Sequence, residues 1–289
     1  MQIKELFRQG RPLISFEFFP PRTAEGEASL LRTIDALRPL RPSFVSVTRT
    51  GGKPREAPVA IVERIKGLGI EGAVHVTAIE ASRDDIARHC DLVLSRGIEN
   101  LVTIRGDVPK DPGFVPPRDG FRYAVDLIRF IRERAHPLCL IGGGHPEGHP
   151  ETRDLDVSIR HLKEKVDAGL DVVITQLFYD NACYFSFVER ARRTGIDVPL
   201  VAGIMPITNA RQIQRITQLS GNAVPPALAE ALERAGDDPE AGLALGVEYG
   251  TRQCAELLRA GAPGIHFYTL NQSPATRAIF ENLRREGLV

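Results

Sequence analysis

The sequence predicts an α/β protein, a (β/α)8 barrel in one domain spanning residues 1–289 with a short N-terminal helix. Three observations lead there. Eight short runs rich in Val, Ile, Leu and Phe recur along the chain. Nearly every pair of them is separated by a stretch of helical apolar spacing, and no shift in composition marks a second domain. The competing architecture is an open doubly wound sheet, which would normally have fewer strands and a nucleotide loop after the first.

Each element has its own local reason. Residues 1–7 form a short amphipathic piece. The first strand, over 13–19, is a dense apolar run that Pro20 and Pro21 stop abruptly. Thr23 caps a helix running to about residue 38, which Pro39 and Pro42 end. A strand over 43–48 leads into the loop 49–54, and Ala60, Ile61, Ile65 and Leu68 mark the next helix. A third strand covers 73–79. Ser82 caps the helix carrying Ile86, Leu92, Val93 and Leu94, which Gly97 closes, and the fourth strand covers 100–105. The loop 110–119 is rich in proline and glycine. A helix over 121–134, a strand over 138–142 and an irregular loop over 143–150 follow. A helix over 159–168 ends at Gly169, before a strand over 172–177. After one more helix come a strand over 199–204, mostly helix over 209–260, a strand over 264–269 and a last helix over 275–285.

The 37 basic and 37 acidic residues balance, which leaves no electrostatic footprint for nucleic acid or an anionic membrane. Cys90, Cys139, Cys183 and Cys254 are far apart in sequence and read as thiols of a reducing compartment rather than a disulfide frame or zinc site. No apolar run approaches membrane length. A soluble, cytoplasmic protein is expected. Arginine outnumbers lysine and proline is frequent, as in GC-rich or heat-adapted sources.

Strand alternation puts Ser15, Glu17 and Phe19 on one face and Phe16 and Phe18 on the other. A carboxylate in such a strand must be paired, protonated or turned to a cavity. Burial beside Phe19 would raise its pKa and keep it neutral, as a general acid requires; a structural Glu paired with arginine is the alternative. Barrel sites lie at the C-terminal strand ends. Those ends carry Thr48, His75 with Thr77, Arg105-Gly106-Asp107, His145 to His149, Gln176, Met205-Pro206 with Asn209, and Tyr268 to Gln272. Two motifs fail. Gly67-Leu-Gly-Ile-Glu-Gly72 follows a helix and precedes a strand, the reverse of a dinucleotide fingerprint. His145-Pro-Glu-Gly-His149 has prolines and a glycine that forbid a helix aligning two metal ligands, so no metal is expected.

Taken together, Ser15-Phe-Glu-Phe-Phe-Pro-Pro21, Val45-Ser-Val-Thr48, His75-Val-Thr77, Arg105-Gly-Asp107, Pro146-Glu-x-His149-Pro, Lys163-x-Lys165-Val-Asp-Ala-Gly169, Ile174-Thr-Gln176, Gly203-Ile-x-Pro206 and His266-Phe-Tyr-Thr-Leu-Asn271 resemble methylenetetrahydrofolate reductases of the bacterial type, in family order over nearly the whole chain. The resemblance implies reduction of 5,10-methylenetetrahydrofolate to 5-methyltetrahydrofolate with FAD as cofactor and NADH or NADPH as donor. It makes Glu17 the general acid that protonates N10 and opens the ring, so that flavin N5 delivers hydride to a 5-iminium cation. It makes Asp107 the carboxylate that steadies this cation, and Gln176 and Gln212 substrate contacts. Thr48, His75, Arg105, Gly106, Asp107, Tyr123, Ala124, His145, His149 and Lys165 become FAD positions, with Arg105 and Lys165 neutralising the pyrophosphate. A surface ion pair with Glu164 or Asp167 is the alternative for Lys165, and a solvated helix face that for Gln212. A homo-oligomer, dimer or tetramer, is expected on the same grounds. Alternatives are electron delivery by a partner protein, or a non-catalytic flavin- or folate-binding subunit. The chain departs from the family at His145 and Arg49, where tyrosines are usual, at Ile216 for a phenylalanine, at Gln272 for an arginine, and in a longer 110–119 loop.

Overall fold

The computed structural model describes residues 1–21, 23–49, 55–109, 111 and 113–289, without the side chains of Ala210 and Leu219. The predicted loop over 49–54 therefore lies mostly, and that over 110–119 partly, outside the described residues. Eight parallel strands close on one another in sequence order: β1 (Leu13–Phe18), β2 (Phe44–Val47), β3 (Glu71–Thr77), β4 (Asn100–Ile104), β5 (Cys139–Gly144), β6 (Val172–Thr175), β7 (Leu200–Ile204) and β8 (Gly264–Tyr268). Between and around them run α1 (Ile3–Leu6), α2 (Ala24–Leu37), α3 (Glu56–Gly67), α4 (Arg83–Ser95), α5 (Ala124–Glu133), α6 (Leu155–Asp167), α7 (Asn181–Arg193), α8 (Ala210–Ser220), α9 (Pro226–Ala235), α10 (Pro239–Arg259) and α11 (Pro274–Arg285). The (β/α)8 expectation holds.

The chain forms these elements for local reasons. Thr23 Oγ1 accepts the Gly26 N–H at 3.1 Å to start α2, and Ser82 with Asp85 builds a reciprocal capping box on α4. Strand alternation then sorts the core into two layers. Ile14, Phe16 and Phe18 point outward into the apolar layer with Leu30, Ile34 and Leu37 of α2. Leu13, Phe44, Ala73, Val102, Ile141, Ile174 and Val201 fill the barrel interior, where Ile3 and Leu6 of α1 plug the lower end. Each such plug side chain stabilises by about 1.5–3 kcal/mol. Asn100 fixes the plug: its Oδ1 accepts the Ile3 N–H at 2.7 Å, and its Nδ2 donates to the carbonyls of Gly72 and Met1, both at 3.1 Å.

Several boundaries move. β3 begins at Glu71 and ends at Thr77. β5 runs on through Gly143 and Gly144, which composition alone reads as loop. A Cβ on Gly144 would lie 2.9 Å from both Phe187 and Val173; packing, not propensity, makes this glycine a strand residue. β6 stops at Thr175, and the Gln176 N–H still donates to the Gly144 carbonyl at 2.7 Å. α6 starts at Leu155, four residues early, because Asp154 caps it. α5 starts at Ala124 rather than 121. The glycine-rich 67–72 stretch is a helix end and turn, with Gly69 at φ +82°. No helix among the described residues is long and apolar enough to cross a membrane. Cys90, Cys139 and Cys254 are buried free thiols, while Cys183 is only half-buried.

Candidate active site

Glu17 faces the barrel interior near the C-terminal end of β1, its side chain 10% exposed. His75 of β3 places Nε2 3.3 Å from Glu17 Oε2, and His266 of β8 places its own Nε2 3.8 Å from the same oxygen. Ser46 Oγ of β2 donates to that oxygen at 3.5 Å and lies 3.4 Å from His266 Nε2. The His266 ring is held on every side: Nδ1 sits 2.8 Å from Ser15 Oγ, Phe44 stacks at 6.0 Å, and Tyr268 meets it edge-on at 5.4 Å. The register makes this possible, pairing Glu17 with Ser46 on one side and Ser15 with His266 on the other.

The electrostatics correct the expectation of a neutral carboxyl. Burial, the largest influence, pushes Glu17 up, but the His75 imidazole and hydrogen bonds from His266 and His75 together outweigh it and bring the pKa to about 2. The groups that decide the charge come from the third and eighth strands, whereas Phe19 lies just beyond β1. Burial in turn holds His266 below the ordinary histidine value despite Glu17 beside it. The backbone under Glu17 is clamped. Thr269 Oγ1 donates to the Glu17 carbonyl at 2.6 Å, and Asn271 bonds both the N–H and the carbonyl of Phe19, at 2.8 and 2.9 Å. Leu270 and Asn271 adopt left-handed φ values of 49° and 57° to present that clamp.

A second group of side chains, from β4, the β5–α6 segment and α6, is basic. Lys165 Nζ donates to the Gly143 carbonyl at 2.6 Å; it makes no ion pair with a carboxylate among the described residues, and burial lowers it to about 8. The surface pair with Asp167 belongs to Lys163 instead. Burial, then Lys165 and His149, push His145 down to about 3, and its ring meets that of His149 edge-on at 4.7 Å. Burial also lowers His149. Arg105 forks onto Glu151 at 2.6 and 3.1 Å. Beside these, Gly106 sits at φ +80°, where a Cβ would come 3.1 Å from Thr77 Cβ.

The sequence profile of the methylenetetrahydrofolate reductase family matches residues 2–284. The chain belongs to that family. It is 36% identical over 283 residues to the 5,10-methylenetetrahydrofolate reductase of Escherichia coli, covering 97% of this chain and 94% of that one. The Pectobacterium carotovorum enzyme of the same name is 36% identical over 277 residues, covering 95% and 91%. Against the Arabidopsis thaliana methylenetetrahydrofolate reductase (NADH) 1 the identity is 34%, over 98% of this chain but 50% of the relative. The chain thus spans about half the length of its plant relatives. In fold it is similar to a Clostridium thermocellum protein described as binding two copies of 5-methyl-5,6,7,8-tetrahydrofolic acid, with a TM-score of 0.68, 15% identity and 98% of each chain covered.

The other family positions are distributed around the same end of the barrel. Thr48 is half-buried, its N–H on the Phe18 carbonyl at 2.9 Å. Asp107 and Gln176 are exposed at the ends of β4 and β6. Tyr123, 47% exposed, and Ala124 stand at the start of α5. Gln212 is turned inward on its own turn: its Oε1 accepts from Thr208 N and Oγ1 at 2.8 and 2.7 Å. Of the departures, Arg49 is tied to Thr77 and Glu80 at 2.6 and 2.5 Å, and Ile216 packs into an apolar cluster with Leu177, Ile207 and Ile213. Sequence reasoning assigned no role to His266, Ser15 or Ser46. The parity of the last strand, with His266 two residues before Tyr268, was the available signal.

Proposed function

We propose that the protein reduces 5,10-methylenetetrahydrofolate to 5-methyltetrahydrofolate, with FAD as cofactor and NADH or NADPH as electron source, as a cytoplasmic homo-oligomer. The observation that carries this reading is the Glu17 carboxyl, set inside the mouth of a barrel of this family and ringed by His75, His266 and Ser46.

FAD fits the residues present. His75 Nδ1 is buried without a hydrogen-bond partner among the described residues, Lys165 has no carboxylate partner among them, and a side chain at Gly106 would close the space beside Thr77. Lys165, Arg105, His145 and His149 would hold the pyrophosphate region. Exposed Tyr123, with Ala124, would flank the adenosine, and Thr48, His75, Gly106 and Asp107 the ring. When bound, FAD would supply the two-electron chemistry between the nicotinamide and the folate.

The chain's own part is proton and charge management. Glu17 gives a proton to N10, the C–N10 bond breaks, and the ring opens to a 5-iminium cation. Asp107 at the mouth favours that cation electrostatically, while Gln176 and Gln212 orient the folate. Glu17 begins ionised, so it takes up its proton once substrate covers the mouth. Excluding water strengthens the upward push that burial already exerts.

The test is a half-reaction. Protein loaded with FAD is reduced anaerobically by light, so that no donor is presumed, and 5,10-methylenetetrahydrofolate is added. Prompt flavin reoxidation, lost in Glu17→Gln, is expected. Flavin that binds but stays reduced would refute the reductase assignment, and protein that binds no flavin would refute the cofactor assignment.

A further inference from the structure

Given the folate reduction proposed above, we infer that Glu147 is a positioning residue for the substrate. Its carboxylate fastens the end of α8 to the barrel and so fixes where Gln212, on the same helix, meets the folate. Glu147 stands half-buried between His145 and His149 in the β5–α6 loop. Both its oxygens are committed to the turn that follows α8. Oε1 accepts from Asn222 Nδ2 at 3.1 Å, and Oε2 accepts the Ala223 N–H at 2.8 Å. Asn222 Nδ2 also donates to the Leu177 carbonyl at 2.9 Å, one residue past Gln176. The turn is thereby held against the segments that follow both β5 and β6.

The contact calls for a carboxylate. Two N–H donors converge on it, and only a group with two acceptor oxygens answers both; a glutamine would turn its own NH2 toward one of them. Asn222 is oriented by the same logic, since turning its amide over would set Oδ1 against two acceptors. Its Oδ1 is left buried without a hydrogen-bond partner among the described residues, so the amide is placed for its donors at the expense of its acceptor. The two sides of the contact differ in how well they are held without it. The β5–α6 loop has its own supports: the His149 N–H on Ser158 Oγ at 2.8 Å, the Gly148 N–H on the His145 carbonyl at 3.1 Å and the Arg153 N–H on the His149 carbonyl at 2.7 Å. The end of α8 closes on itself, with Gly221 at φ +71° and its N–H on the Thr217 carbonyl at 2.8 Å. Among the described residues, the other hydrogen bond from the barrel to this turn is a long one, from Arg153 to the Gly221 carbonyl at 3.5 Å. Loss of Glu147 therefore frees α8 and not the flavin loop. The helix has 11 residues, about 16 Å of length, so its tilt is set by its two ends, and Gln212 lies in its first turn.

The test is the anaerobic half-reaction of the full chain loaded with FAD, read as the rate of flavin reoxidation against 5,10-methylenetetrahydrofolate concentration. Glu147→Gln should raise the half-saturating folate concentration roughly tenfold, because the competent placement of α8 becomes a minor state. Its limiting reoxidation rate and its FAD affinity should match those of the native chain, which also shows that the variant folds. Gln212→Ala should raise the half-saturating concentration by itself. Adding Glu147→Gln to it should then change that concentration by less than about twofold, since the side chain being positioned is gone. A tie that serves stability alone would leave half-saturation where it was. Unchanged half-saturation in Glu147→Gln, a loss of FAD affinity in its place, or effects that multiply with Gln212→Ala would each overturn the inference. A native chain that no concentration of folate reoxidises would overturn the folate reduction itself, and the inference with it.

Discussion

On the proposed placement of Lys165 beside the FAD pyrophosphate, flavin binding is expected to depend on pH in a range where lysines are ordinarily silent. Burial without a counter-ion lowers its ammonium to about 8. A pyrophosphate beside it favours the charged form and returns it toward the ordinary lysine value, so binding takes up a proton. The contribution of Lys165 is therefore complete below pH 8 and falls away as pH rises through 8 toward the value in the complex. From pH 7 to pH 9 the free protein goes from about nine-tenths to about one-tenth protonated at this site while the complex stays charged, so affinity falls about tenfold, or ~1.4 kcal/mol. His145 and His149 are already pushed below the usual histidine range and do not titrate across this window. Equilibrium titration of FAD, followed by quenching of flavin fluorescence, measures the slope. Lys165→Arg keeps the charge and should bind with a flat profile; Lys165→Met should bind more weakly and also without slope. A native profile that is flat from pH 7 to 9, or a slope retained in Lys165→Arg, would refute the assignment of Lys165 to the phosphate.

Glu17 tests the other half of the site through stability. Its folded pKa of about 2 lies below the ordinary 4.5, so the ionised carboxylate stabilises the fold above pH 4.5 and that share is lost as pH falls toward 2. Urea unfolding should show Glu17→Gln losing about 3 kcal/mol less than the native chain across that window, and equal losses would contradict the His75 and His266 pairing. His266→Phe keeps an aromatic ring against Phe44 but removes one of the imidazoles that hold Glu17 down. The pH profile of the folate half-reaction should move to higher pH while FAD affinity stays put, and an unmoved profile would assign His266 to packing alone. Asn100→Ala leaves the Ile3 N–H and Gly72 carbonyl without their side-chain partner under the barrel, which costs about 2–4 kcal/mol and should lower Tm by roughly 3–7 °C in calorimetry.

The barrel was legible because eight apolar runs and their spacing survive errors of a few residues at each boundary. The errors fell where neighbours overrule local preference. Gly143 and Gly144 read as loop, yet Phe187 and Val173 leave room for nothing larger at 144. The inward direction of Glu17 was also legible, since alternation along one strand sets it. Its charge was not. That depends on His75 and His266, which are 58 and 249 residues further along the chain and meet the carboxylate only because the sheet closes on itself. A side chain's face is a property of its own strand, but its partners across a closed barrel follow from register. Lys165 shows the same limit from a helix: its sequence neighbours Glu164 and Asp167 suggest a surface pair, whereas the fold turns Nζ to the Gly143 carbonyl. What converts both residues from ordinary surface or core groups into candidates for chemistry is the same circumstance, burial with too few opposite charges. In Glu17 two imidazoles supply the balance from within; in Lys165 nothing in the described chain does, and an anionic ligand is the simplest group that would.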